Sequence, residues 1–306
     1  MGRIDRHTLA VVCALLAMAA CGRSSDPPPR VPDPDAGDAA AREWRVKHEA
    51  DYRRDWVSVA GLHVLKPGRN RAGSAAGNDI VLPASAPATL GVFELTGQRV
   101  RFEPAPGAGV RLNDEPVTAA RDLRDDAQRG ADELVVGDTR LVVHVSGGNR
   151  AVRVRDPNGP LAKAFAGFAW FPIDARYRVV GRFIKDPQPE RRKVVNTYGD
   201  VDEYTTEGVV EFHLLGQTLR LRPFTTRPGR FYFVFRDASS GQETYETARF
   251  LYSDLLPDGT TVLDFNIAYN PPCAFNPYTT CPIPLRENRL PVKILAGEKA
   301  YSPQRP

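Results

Sequence analysis

Cysteine is scarce in this chain: Cys13, Cys21, Cys273 and Cys281 are the four among 306 residues. Such a low content excludes the disulfide frameworks that hold small secreted domains together. Long apolar runs are lacking too. Leu9–Ala20 is a run of twelve, and a bilayer span needs about 20. Charge of one sign is not in excess, with 41 basic against 37 acidic residues. That balance argues against nucleic acid as a partner, which would need a concentrated basic face. No G-x-S-x-G elbow, H-E-x-x-H pair, P-loop or dinucleotide fingerprint occurs, so the common nucleophile, zinc and phosphate motifs are absent. Amphipathic helices do not separate the apolar segments, which excludes an alternating α/β architecture.

The N-terminus carries the clearest signal. Arg3 and Arg6 precede the apolar run, and Met18-Ala19-Ala20 places small residues directly before Cys21. A basic start, a short apolar stretch and a small-residue cleavage site describe an export leader. The cysteine thiol at the cut offers a nucleophile for a diacylglyceryl group. The pattern resembles a bacterial lipoprotein signal, with residues 1–20 as leader and Cys21 as the lipidated residue. Removing Arg3, Arg6 and Asp5 takes 41 basic and 37 acidic residues to 39 and 36, a net charge of +3. Gly22 after the cysteine resembles a residue permitting transfer to the outer membrane, facing the periplasm. Residues 21–37 then form a tether rich in Pro, Ser and Asp. In polyproline geometry it reaches about 50 Å.

Asp38 is a candidate helix cap, and residues 38–55 read as a helix. Trp44, His48 and Tyr52 fall at i, i+4 and i+8 on one face, a stripe expected to pack on the next module. From residue 56 the chain alternates short strands with turns. Leu90–Leu95 and Gln98–Glu103 flank Thr96-Gly97, and Asn113-Asp114 joins a second pair; both are hairpin signals. Residues 56–155 are expected to form one β sandwich. A further set of strands, in residues 156–306, forms a second β module. The fold class is therefore all-β: two sandwich or roll modules preceded by one helix.

Polar and aromatic residues concentrate between Leu263 and Lys299. Thr260–Tyr269 reads as a strand, with Asp264 and Asn266 on one face about 7 Å apart. A hairpin centred near Leu256-Pro257 would set Arg249 opposite Asp264 as an ion pair. Asn270-Pro271-Pro272 ends the strand, and a long loop runs from Cys273 to Glu287. Arg249, Asp264, Asn266, Tyr269, Asn270, Asn288, Arg289 and Glu298 are the candidate binding or catalytic residues. Cys273 and Cys281, with seven residues between them, are a candidate disulfide in an oxidising compartment. No metal site and no cofactor are expected, because two thiolates supply half a tetrahedral shell and no histidine lies near them. Asp264 with Glu298 is an alternative, hydrolase-type carboxylate pair.

The segments AGLHVLKPGRNRAGS, GNDIVLP, FAGFAWFPID, LDFNIAYNPPCAFNPYTTCP and ENRLPVKILAGEK resemble those of domain of unknown function 1684, a bacterial and archaeal family. The resemblance runs from about Arg42 to Tyr301 and implies no established activity. Arg71, Ser74, Asn78–Leu82 and Asn113 also resemble the pattern of a forkhead-associated (FHA) domain. That resemblance implies phosphothreonine binding through an Arg, a Ser and an Asn. Here Ser85-Ala86-Pro87-Ala88 stands where the family has Ser-x-x-His, which fits a docking sandwich without phosphate better. The expectation is a lipid-anchored envelope protein. Its partners are the membrane and an unidentified small-molecule or protein ligand, with the polar site in the second module.

Overall fold

The computed structural model describes residues 33–302. The leader, Cys21 and most of the tether lie outside this range. Helix α1 (Pro34–Tyr52) opens the described chain and is capped by Asp33, whose carboxylate accepts from Asp35 N–H at 3.0 Å. It begins four residues before the expected Asp38. Proline at the first helical position has a preset φ and no N–H to lose, so Pro34 starts the helix instead of prolonging the tether. A π-turn, Arg53–Val57, follows and delays the first strand to Val59.

The first module contains β1 (Val59–Val64), β2 (Gly68–Gly73), β3 (Ile80–Val81), β4 (Gly91–Thr96), β5 (Arg99–Pro104), β6 (Arg111–Leu112), β7 (Glu115–Pro116), β8 (Arg121–Leu123), β9 (Glu133–Val136), β10 (Thr139–Ser146) and β11 (Asn149–Arg155). They form a six-stranded sheet, β1-β11-β10-β9-β6-β7, and a five-stranded sheet, β3-β2-β4-β5-β8. Phe93, Phe102, Leu134, Leu141, Val143 and Val152 fill the space between them. Asn113 and Asp114 both take positive φ, 47° and 76°, as a two-residue hairpin turn requires.

A short helix, α2 (Pro160–Ala164), leads into the second module. Its strands are β12 (Arg178–Val195), β13 (Val201–Leu214), β14 (Gln217–Leu221), β15 (Phe224–Arg227), β16 (Arg230–Phe235), β17 (Arg249–Asp254) and β18 (Thr260–Asp264). A four-stranded sheet, β14-β13-β12-β18, packs on a three-stranded one, β15-β16-β17. Phe212, Leu221, Phe233, Leu251, Leu263 and Phe265 lie in their common core. The architecture is all-β, with α1 as its one long helix among the described residues.

Three segments of the second module depart from a plain strand pattern. β17 starts at Arg249, because residues 237–247 are held in turns by Asp237 and Ser239. Pro291 and Val292 form a bend, and Pro291–Leu295 joins no ladder. β18 ends at Asp264, where a 3-10 turn, Phe265–Ile267, begins.

Candidate functional site

That turn rearranges the proposed polar face. Asp264 is its cap: Oδ1 accepts from Asn266 N–H at 3.0 Å and from Asn266 Nδ2 at 2.8 Å. A side chain that bonds the backbone two residues ahead competes with the strand ladder. Asp264 and Asn266 therefore do not alternate along one strand. The expected Arg249–Asp264 pair is also replaced. Asp264 lies opposite Arg178 in the β12–β18 ladder, and Arg178 Nε donates to its Oδ2 at 2.9 Å. Nη2 of the same guanidinium reaches Asp38 Oδ1 on α1 at 3.0 Å. Asn266, fully buried, closes the network by holding the backbone of Asp174 through both ends of its amide.

The remaining candidates divide among separate networks. Arg249 is 0% exposed and lies opposite Phe235 on β16. Its guanidinium donates to Asp237 Oδ2 at 2.8 Å and to the carbonyls of Ile294 and Ala296. The charge is thus neutralised where it is buried, the condition for a buried ion pair to be tolerated. Asn270 donates its backbone N–H to Glu298 Oε2 at 2.9 Å and its Nδ2 to Glu298 Oε1 at 2.7 Å. Burial pushes the Glu298 carboxyl up to about 8, against the pull of Asn270 and Arg249. Asn288 is buried and ties Arg222 to Val234. Arg289 is exposed at the edge of the module. Asp264 and Glu298 therefore serve different hydrogen-bond networks, and Glu298, 1% exposed, is sealed from solvent. These carboxylates and amides do the work of structure.

Tyr269 has different surroundings. It packs against Trp44 at 5.7 Å and His48 at 4.5 Å between ring centroids. The stripe on α1 is a stack: Trp44 to His48 is 4.3 Å and His48 to Tyr52 is 4.2 Å. Burial holds the His48 imidazole down at about 3, hence neutral. Beside this stack runs a groove of about 380 Å³ lined by Trp44, Arg230, Tyr252, Asp254, Ile267 and Tyr269, among others. Strand pairing supplies its polar end. Arg230 and Asp254 are cross-strand partners of β16 and β17, with Nη1 and Oδ2 2.7 Å apart. The Arg230 guanidinium lies 5.2 Å from the Tyr252 ring centre. Sequence reasoning found Trp44 and Tyr269 but missed Arg230, Tyr252 and Asp254. Phe231–Phe235, apolar at five successive positions, gave no sign of its register against β17.

The 273–281 loop sits at the junction of the modules. Asn276 Nδ2 donates to the carbonyls of Trp56 and Val59 at 3.0 and 2.7 Å. Thr280 Oγ1 is 3.0 Å from His144 Nε2, and His144 Nδ1 is 2.7 Å from Asp126 Oδ2. Asp126 also accepts from Arg153 at 3.2 Å. The expected disulfide is not formed; both cysteines are thiols, Cys281 buried and Cys273 partly exposed. Cys273 N–H donates to Cys281 Sγ at 3.3 Å. In the first module, Arg71 bonds Asp79 and Gly77, Ser74 bonds the Ala86 carbonyl and Asn113 bonds Asp132. Among the described residues no hydrogen bond joins those three side chains.

Fold and geometry together define an all-β protein of two sandwich-like modules, its expected polar residues consumed by buried networks and an open groove beside its helix. Residues 163–299 match the model of the family described as protein of unknown function (DUF1684). An uncharacterized protein of Haloarcula marismortui, solved by solution NMR, is 30% identical, with 47% of this chain and 82% of that one covered and a TM-score of 0.38. A structure from an analysis of phosphothreonine-dependent FHA domain interactions is 18% identical over 31% of this chain and 93% of that one, at a TM-score of 0.22. Mycobacterium tuberculosis EmbR in complex with a low-affinity phosphopeptide is 21% identical, covering 40% and 31%, also at 0.22. No curated protein matches the chain.

Proposed function

We propose that this chain is a lipid-anchored envelope protein that binds a ligand in the groove between α1 and the β16–β17 edge. The leader pattern ending at Cys21 supports the anchor and an outer-membrane site facing the periplasm. The single observation that carries the binding reading is the groove itself. It sets the half-buried faces of Trp44 and Tyr252 beside an exposed Arg230–Asp254 pair. Apolar walls with a few convergent polar groups are the usual makeup of a small-molecule site. The matching ligand has a flat apolar face and a hydrogen-bonding edge, as sugars and aromatic-bearing peptides do. A hydrolase built on Asp264 and Glu298 draws no support from the geometry, since neither carboxylate faces this groove.

A thermal-shift screen of the full chain against sugars, peptides and phosphorylated compounds tests the reading. A true ligand at a hundredfold excess over Kd adds about 2.7 kcal/mol, which is about 5 °C in Tm. The shift is expected to vanish in Trp44→Ala and to shrink in Arg230→Ala. A shift untouched by both substitutions would move the site elsewhere. Radiolabelled palmitate entering the expressed chain, and not its Cys21→Ser variant, is the outcome expected of the anchor.

A further inference from the structure

Cys273 and Cys281 stand in unequal environments although their sulfurs are neighbours. Cys273 is partly exposed, in the 3-10 turn Pro272–Ala274, while Cys281 is 1% exposed. The backbone N–H of Cys273 points at Cys281 Sγ, 3.3 Å away, and Tyr245 Oη lies 3.7 Å from Cys273 Sγ and 3.4 Å from its carbonyl. Cys281 N–H is held by Thr197 Oγ1 at 3.2 Å, which fixes the inner sulfur in place. The Cys281 thiol and the Tyr245 hydroxyl, both donating to the Cys273 sulfur, hold its thiol below the ordinary cysteine range. Burial, with Cys273 beside it, pushes Cys281 well above that range. A partly exposed cysteine that ionises first, next to a buried one that stays protonated, is the division of labour in thiol–disulfide exchange.

We infer that Cys273 and Cys281 form a reversible dithiol couple that exchanges with external disulfides, Cys273 attacking and Cys281 resolving. The Cys273 thiolate attacks one sulfur of an external disulfide. A mixed disulfide forms at Cys273 and the first external thiolate leaves. Cys281 then gives up its proton, which that thiolate or solvent takes, and attacks the Cys273 sulfur. The Cys273–Cys281 bond forms and the second external thiolate departs. Two electrons pass from the pair to the external disulfide, and an excess of external thiol runs the sequence backwards. The oxidised pair closes the loop that carries Asn276 and Thr280, so the same step staples the loop lying between the modules.

Glutathione disulfide is the probe. The reduced full-length chain is incubated with it, quenched with a maleimide and mapped by peptide mass spectrometry, which separates Cys273 and Cys281 from Cys13 and Cys21. The wild type is expected to form a Cys273–Cys281 disulfide that reduced glutathione reopens. Cys281→Ser is expected to accumulate one glutathione at Cys273, and Cys273→Ser to leave Cys281 unmodified. Should Cys281→Ser fail to fold, alkylation of the native wild type decides. Cys273 is expected to react at least about tenfold faster than Cys281, and Tyr245→Phe to slow it at neutral pH. Labelling of Cys281 before Cys273, or no intramolecular disulfide until denaturant is added, would overturn the inference. These outcomes do not depend on the groove, so each proposal can fail alone.

Discussion

Two buried titratable side chains, His48 and Glu298, respond to pH in opposite senses. His48 is held down at about 3 by burial, and its Nε2 has no hydrogen-bond partner. Glu298 is lifted to about 8 by burial. As pH falls below the ordinary histidine value near 6.5, the unfolded chain takes up a proton that folded His48 refuses, so stability falls towards pH 3. As pH rises above the ordinary glutamate value near 4.5, the unfolded chain loses a proton that folded Glu298 keeps, so stability falls towards pH 8. Between about 4.5 and 6.5 the two slopes cancel. Each limb is worth at most about 4–5 kcal/mol by linkage. Urea midpoints measured across pH should therefore show a plateau in that window. His48→Phe should flatten the acid limb and Glu298→Gln the alkaline one; unchanged slopes would show that other groups set the profile. The His48 stripe was legible in the sequence because helical spacing alone puts residues four apart on one face. The environment of Glu298 was not, since its partner Asn270 is 28 residues away and reaches it only through tertiary packing.

Helix α1 is attached to the second module by a contact that reverses the usual rule for glycine. Gly37 sits in its first turn, and a Cβ built there would come within 2.3 Å of Arg178 Nη1 and 2.4 Å of its Cζ. Replacing a helical glycine by alanine ordinarily gains up to about 1 kcal/mol. Here the obstacle is the end of a side chain, which could swing away were it free. It is not free: Asp264 holds Nε and Asp38 holds Nη2. Parting a buried guanidinium from its carboxylates costs about 3–5 kcal/mol, less for the more exposed Asp38. Gly37→Ala is thus expected to lower stability by about 1–3 kcal/mol in equilibrium unfolding, whereas Arg178→Met should make the alanine neutral or favourable. The elements themselves were partly readable. Thr96-Gly97 and Asn113-Asp114 marked their hairpins because positive φ suits few other residues. β12 runs unbroken from Arg178 to Val195, although Asp186–Pro189 interrupts its pairing between Lys185 and Glu190. The end of β18 was hidden because Asp264 looks like any strand residue until its carboxylate turns to cap Asn266.

At the scale of the whole molecule, the first module's core meets the two apolar clusters of the second module across polar contacts. Ser146 donates to Asp200 at 2.8 Å, Gly147 N–H to Asp202 at 2.8 Å, and Asn196 Nδ2 to Ser146 at 2.8 Å. The 273–281 loop adds Asn276 and Thr280 to the same junction. Asn276 matters most, because it is 1% exposed and its amide satisfies two main-chain carbonyls, Val59 of the first module and Trp56 of the turn before it. Asn276→Ala leaves both without that donor, at about 1–3 kcal/mol for each carbonyl that water does not reach. His144→Ala breaks one bond to Thr280 and also frees Asp126, yet Arg153 and Val145 N–H still satisfy that carboxylate. If the junction transmits stability, the wild type should unfold in one calorimetric transition. Asn276→Ala should then separate it into two, the sandwich of residues 59–155 melting apart from the rest. His144→Ala should only lower the single transition by a few degrees. A wild type that already melts in two steps would mean that the polar contacts hold the modules in register without coupling their folding. In that case Asn276→Ala would shift only the step belonging to the second module, because Thr197, Tyr198 and Tyr245 tie the loop to that module.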